Sequence, residues 1–216
     1  MFNSACFLLP LLMTISSIAT CAETDCATQN GAVPDGRVSA IATFVTGNGF
    51  MTVTLSDSLA NPTSIGQLVS GLAFAVSEGQ TIGTLGSTSA NNRKVKADGT
   101  FVDLGPSPTG WALATDFNGG FELCALCTDL GASGPSRLLI GQPSGAGSYQ
   151  SANASIAGNK PHNPFTTGTS TFLITIPTVT TQSTIASATF FFGTTEGVSV
   201  AGSCSAGGGI IISTGD

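Results

Sequence analysis

The chain has 216 residues, six of them Lys or Arg and 12 Asp or Glu, for a net charge of −6. So few basic residues give no electrostatic basis for a nucleic-acid face or for attraction to an anionic membrane surface. Charged residues make up 8% and hydrophobic residues 41%, which excludes a disordered chain, because enough Val, Ile, Phe and Thr is present to offset the entropy of ordering.

At the N-terminus, residues 7–18 form an apolar run broken once by Pro10 and followed by the small-residue stretch Ala19-Thr20-Cys21-Ala22. This reads as a secretory signal peptide over 1–22, cleaved after Ala22. The run is well short of the roughly 18 to 20 residues that cross a bilayer as a helix, so no transmembrane segment is expected in the mature chain. The alternative is a lipoprotein acylated at Cys21, although Thr20 is a poor match to the small residue that normally precedes such a cysteine. Either way the rest of the chain is expected to be secreted or otherwise extracytoplasmic.

Export changes what the cysteines mean. Cys6 falls in the leader and Cys21 at its end, leaving Cys26, Cys124, Cys127 and Cys204. Four thiols in an oxidising compartment form two disulfides, with three connectivities open. Chain order favours Cys124 with Cys127 and Cys26 with Cys204, the latter worth about 4 to 5 kcal/mol by loop-closure entropy. A redox reading of Cys124-Ala-Leu-Cys127 wants a following helix, and none is patterned there. A zinc reading lacks a second ligand pair.

Residues 37–45 place Val38, Ala40, Ala42 and Phe44 on one face, the period of a half-buried strand. Gly47-Asn48-Gly49 then turns the chain into a second strand at 50–55. Residues 65–76 mix a helical stripe with alternation and are expected to run from a turn or short helical start into a strand at 72–77. Further strands are expected at 93–97, 111–117, 121–127, 137–140, 169–176, 185–193 and 209–213, separated by turn formers such as Asp98-Gly99 and Asn118-Gly119-Gly120. In Phe190-Phe191-Phe192 the outer two rings face one way and the middle ring the other. Residues 141–168, rich in Gly, Ser, Asn and Pro, read as a long surface loop. The sum is an all-β chain: a single antiparallel β-sandwich, jelly-roll-like, over 23–204, with a Gly-rich tail at 205–216.

Chemistry-bearing residues are sparse. His162, the only histidine, lies between Pro161 and Pro164, with no Gly-x-Ser-x-Gly elbow in the chain and no nearby Asp to orient it. A structural role in a rigid loop is expected. Asp98, Asp103, Asp116, Glu122 and Asp129 fall near strand ends without the spacing of a calcium loop and read as solvated turn residues. Neither a cofactor nor a metal is expected. Trp111 and Tyr149 are single among 13 Phe; with His162 they are the candidates to face a ligand, since Trp and Tyr combine an apolar face with a polar handle. Asn153-Ala-Ser155 matches a glycosylation sequon.

Ser148-Tyr-Gln-Ser-Ala-Asn-Ala-Ser-Ile-Ala-Gly-Asn-Lys-Pro-His-Asn-Pro-Phe165, Gly168-Thr-Ser-Thr-Phe172 and Ala188-Thr-Phe-Phe-Phe-Gly193, with Gln67-Leu-Val-Ser-Gly-Leu-Ala-Phe74 and Thr128-Asp-Leu-Gly131 upstream, resemble the extracellular portion of bacterial proteins carrying a PEP-CTERM sorting tail. That group's Pro-Glu-Pro, apolar helix and terminal Arg cluster are not found here, so anchoring by exosortase is not expected. The resemblance implies a bacterial exported protein associated with the envelope or extracellular polymer. The expectation is a non-enzymatic structural or adhesive protein with polysaccharide or envelope components as partners. A carbohydrate-binding module is the alternative.

Overall fold

A computed structural model describes residues 21–28, 31–195 and 197–207. Most of the expected leader and tail, and the strand expected at 209–213, lie outside the described residues. Among the described residues the regular structure is strand, with only single turns of 3-10 helix. Among the described residues no helix is long and apolar enough to cross a membrane.

In chain order the strands are β1 (Ala22–Ala27), β2 (Gly31–Val33), β3 (Gly36–Val38), β4 (Ala40–Gly47), β5 (Phe50–Asp57), β6 (Val69–Val76), β7 (Thr84–Val95), β8 (Phe101–Ser107), β9 (Ala112–Phe117), β10 (Gly120–Cys124), β11 (Leu139–Ile140), β12 (Phe165–Thr175), β13 (Ile185–Phe192) and β14 (Ser199–Ala206). β4 follows its period-2 pattern, with Ala40, Ala42 and Phe44 buried beside Val38. β5 buries Met51, Val53 and Leu55 and turns Phe50 outward, because alternation sends both ends of the run 50–55 to opposite faces. Ahead of β6, a 3-10 turn over Ile65–Gln67 is closed by a capping box between Ser64 and Gln67. In β13 Phe190 and Phe192 are fully buried while Phe191 is only partly covered.

The expected sandwich is corrected to a closed barrel. Strands follow the order β8-β7-β12-β5-β4-β1-β14-β13-β6-β10-β9, and β11 pairs with both β12 and β6. β12, β5, β4, β1, β14, β13, β6 and β11 therefore form an eight-stranded ring. The β7-β8 and β9-β10 hairpins extend from it as extra strands. The sheet is mixed rather than purely antiparallel, since β11 runs parallel to β12, with Leu139 opposite Thr166 and Ile140 opposite Thr167. Two physical features make the ring. At one side β1 inserts between β4 and β14; at the other, the short β11 takes up edge groups that two separate sheets would leave open.

Both expected disulfides are present. Cys26 and Cys204 are direct cross-strand partners on β1 and β14, and Cys124 bonds Cys127 at the end of β10. No described cysteine is free. Such pairing fits an oxidising, extracytoplasmic environment. The core is a continuous set of buried Phe, Leu, Ile and Val. Phe74 sits at its centre, 5.1 Å from the Phe44 ring and 5.5 Å from that of Phe121.

Candidate functional site

The β7-β8 hairpin folds around Asp98-Gly99. Asp98 Oδ1 accepts the Thr100 N–H at 3.0 Å and its hydroxyl at 2.7 Å, an Asx turn that lets Gly99 take φ +78°. These bonds hold the Asp98 carboxyl below the usual range. The Gly99 carbonyl accepts the Tyr149 N–H at 2.9 Å, and a Cβ on Gly99 would stand 2.6 Å from the Tyr149 oxygen. Glycine thus allows the hairpin tip to dock on the 141–164 loop.

That turn sets Arg93 opposite Asp103. The guanidinium grips the carboxylate twice, Nε to Oδ1 at 2.6 Å and Nη2 to Oδ2 at 3.0 Å. It lies 3.8 Å from the centre of the Phe101 ring, and Nη1 donates to the Tyr149 hydroxyl at 3.1 Å. Burial works against the Arg93 charge, but the bonds to Asp103 and Tyr149 outweigh it, so the guanidinium stays protonated. Tyr149 in turn donates to the Gly141 carbonyl at 2.8 Å. Burial raises its phenol above the ordinary value.

Behind this network lies Asp57, at the end of β5. Its Oδ1 accepts the Leu59 N–H at 2.9 Å, and the carboxyl also bonds the Gly141 backbone. Oδ2 is buried without a partner. Burial pushes the carboxyl well above the usual range despite those two bonds.

In front of it is a polar cleft of about 270 Å³ between β7, β8 and β12, lined by Asn91, Arg93, Asp103, Gln142 and Thr167, with Gly105 and Gly168 at the backbone. The register of β12 against β7 shifts between Thr167 and Thr171, and Gly168 takes φ +75° there. The irregularity leaves the Thr167 and Ser170 hydroxyls buried and unpartnered. Thr167 lines the cleft, but its hydroxyl is sealed beneath the surface, at a cost of about 1–3 kcal/mol. The exposed amides of Asn91 and Gln142 and the half-exposed Asp103 carboxylate can together bond a hydroxyl-rich, uncharged molecule, since the cleft's own ion pair is already neutral.

The three residues expected to face a ligand sit elsewhere or inward. Trp111 is 5% exposed, its Nε1 donating to the Arg137 carbonyl at 2.8 Å and its ring 5.5 Å from Phe172. Tyr149 is 1% exposed and supports the cleft from beneath. Neither ring offers a stacking platform. His162 is partly buried, and its Nδ1 meets the Ser155 carbonyl at 2.6 Å, the structural bond expected of it. Beside it Asn163 Oδ1 accepts the Val95 N–H at 2.8 Å and its Nδ2 donates to the Asn159 carbonyl at 2.8 Å, which docks the loop on β7. The structure does not bring His162 together with Trp111 or the cleft. In the sequon, Asn153 is exposed and Oδ1 accepts the Ser155 N–H at 2.8 Å.

Glu122, Cys124 and Cys127 bring one carboxylate oxygen and two sulfurs within 4.8 Å of one another, the sulfurs being joined in the disulfide. Sequence reasoning missed the cleft residues. One signal was available: Arg93 and Asp103 are equidistant from Asp98, so a hairpin turning there must pair them. No family model matches the chain, and neither a curated protein nor a solved structure is significantly similar to it.

Proposed function

We propose that the protein is an exported β-barrel with a structural or adhesive role at the bacterial envelope or in extracellular polymer. The observation that carries this reading is the Cys26–Cys204 bond, which ties strands 178 residues apart in sequence and suits a fold that must persist where no chaperone or reducing system protects it. The leader over 1–22 and the resemblance to PEP-CTERM proteins support export. In the cleft, the charged side chains answer one another instead of standing ready for proton transfer. Intact-mass analysis of protein recovered from the cell exterior, with and without reductant, tests the reading. A mass lacking residues 1–22 with two closed disulfides is expected, and recovery of the uncleaved chain only from the cytoplasm rejects it.

A second reading, glycan binding, is favoured by one observation, the polar cleft with the exposed amides of Asn91 and Gln142 beside the Asp103 carboxylate. It moves from Trp111 and Tyr149 to Asn91, Gln142 and Asp103. Titration with neutral oligosaccharides, followed by calorimetry, checks it. Binding lost in Gln142→Ala supports it, and no heat with any glycan removes it.

A further inference from the structure

Cys124–Cys127 differs from the barrel's other disulfide in what surrounds it. Cys124 is 3% exposed, Cys127 is partly exposed, and Glu122, two residues along the same face of β10, brings its carboxyl within 4.8 Å of both sulfurs. The carboxyl lies over Gly71 of β6, where a Cβ would meet Glu122 Oε1 and the Phe191 ring, each at 3.3 Å. No side chain on Gly71 means room for the carboxyl against the sheet. Glu122 has no hydrogen-bond or ion-pair partner among the described residues, and burial alone raises its pKa. The carboxyl keeps contact with solvent while it sits at the disulfide, so it can exchange protons with water and with the sulfurs.

We propose that Cys124–Cys127 is an exchange-active disulfide that oxidises extracytoplasmic dithiols, with Glu122 as the proton donor to the buried sulfur. A substrate thiolate attacks Sγ of Cys127, the more exposed of the two cysteines. The Cys124–Cys127 bond breaks, its electron pair goes to Cys124 Sγ, and Glu122 protonates that sulfur, whose thiolate would otherwise be stranded in a desolvated site. The substrate's second thiol gives its proton to the Glu122 carboxylate and attacks the substrate sulfur of the mixed disulfide, releasing Cys127 as a thiolate that solvent protonates. Two electrons and two protons pass from the dithiol to the cysteine pair, and Glu122 ends as it began. Cys26–Cys204 has no carboxyl at its sulfurs within the same reach among the described residues and stays closed.

Dithiothreitol is the probe. The full oxidised chain is incubated with it under native conditions, samples are quenched with acid, and free thiols are alkylated and located by mass. Cys124–Cys127 opens at least tenfold faster than Cys26–Cys204, and Glu122→Gln slows that opening at least tenfold, in line with the roughly 10²–10⁴ that a positioned acid supplies. Glu122→Asp recovers part of the rate. Asp116 on β9 and Asp129 in the turn after Cys127 are the ionisable residues of the elements packed around this corner; both are present in wild type and variant and cancel in the ratio. A wild-type to Glu122→Gln ratio that falls as pH rises identifies proton donation, which a packing role would not produce. Equal rates in wild type and Glu122→Gln at every pH, or Cys124–Cys127 opening no faster than Cys26–Cys204, overturns the proposal. Should Glu122→Gln fail to fold, the wild-type rate per dithiothreitol thiolate decides: a fall with rising pH supports the proposal, and a flat profile ends it.

Discussion

Where β1 meets β14, the ring of strands is held by four cross-strand pairs and a disulfide; where β12 meets β6, it is held by the two residues of β11 and a polar network behind them. The first junction is covalent and flanked by small, partly exposed residues. At the second, Asp57, Gly141, Tyr149 and Arg93 form a chain of hydrogen bonds running from the barrel wall to the cleft. Closure by covalent bond stabilises chiefly by restricting the unfolded chain, whereas closure by β11 depends on every buried polar group finding its partner. Unpartnered atoms such as Asp57 Oδ2 and Thr167 Oγ1 lie in the second region. Regions with that kind of deficit open locally before the rest.

The largest expected effect is at the covalent side. Cys26→Ala with Cys204→Ala should cost about 4 to 5 kcal/mol of unfolding free energy by the loop-entropy argument, measured by urea denaturation. A loss under about 1 kcal/mol would mean that the strand pairs alone hold this junction. Next is Gly141→Ala, whose Cβ would fall 1.9 Å from the Leu59 carbonyl oxygen. Both are backbone positions, so one segment must move, at about 2–3 kcal/mol. Tyr149→Phe comes third, at about 1–2 kcal/mol, because the Gly141 carbonyl and Arg93 Nη1 each lose their phenol partner while staying sheltered from water. Hydrogen exchange sharpens the contrast: Tyr149→Phe should speed exchange in β11 and the 141–150 loop and leave β1 and β14 at wild-type rates.

The smallest net effect, and the one with a pH sign, is Asp57→Asn. Because burial raises the Asp57 pKa in the folded state, the native protein favours the neutral acid. Its contribution is fully present below the unfolded carboxylate pKa and is lost as pH rises through the raised folded value. Asn cannot ionise, so the stability of Asp57→Asn relative to wild type should increase from acid toward neutral pH, although its amide inherits the unpartnered position of Oδ2. Denaturation midpoints of both proteins from pH 4 to 8 check the slope, and a relative stability that falls with pH would refute it.

Strands that bury one face were legible from sequence, and those that bury little were not. Val38, Ala40, Ala42 and Phe44 announced β4 because alternation reports a core-facing side. β14 reads Ser-Val-Ala-Gly-Ser-Cys-Ser-Ala and β8 reads Phe-Val-Asp-Leu-Gly-Pro-Ser, both largely exposed; they are strands because neighbours supply a hydrogen-bond ladder, a tertiary cause with no local pattern. The first half of β7, with its Thr, Gly and Ser, was hidden for the same reason. Spacing led to the disulfide pairs because few connectivities exist. Barrel closure was invisible: a strand was expected at 137–140, but no local pattern tells that Leu139 and Ile140 pair with both β12 and β6. The cleft was missed because Asn91, Gln142 and Thr167 carry no motif and meet only through the β12 irregularity. Of its residues, Arg93 and Asp103 alone left a trace, in their symmetry about Asp98.

The register of the strands also gives the barrel a direction. Ala22 pairs with Thr46 and Thr24 with Ala206, so the first strand starts and the last strand stops at one pole. Ala40 pairs with Asp57 and Ser56 with Thr169 at the other pole, beside Thr167 and the cleft. A graft or tether fused at either end of this barrel would therefore leave from the side opposite the cleft. Immobilised on a bead or a cell wall, the molecule would stand upright and present its polar recess to the medium.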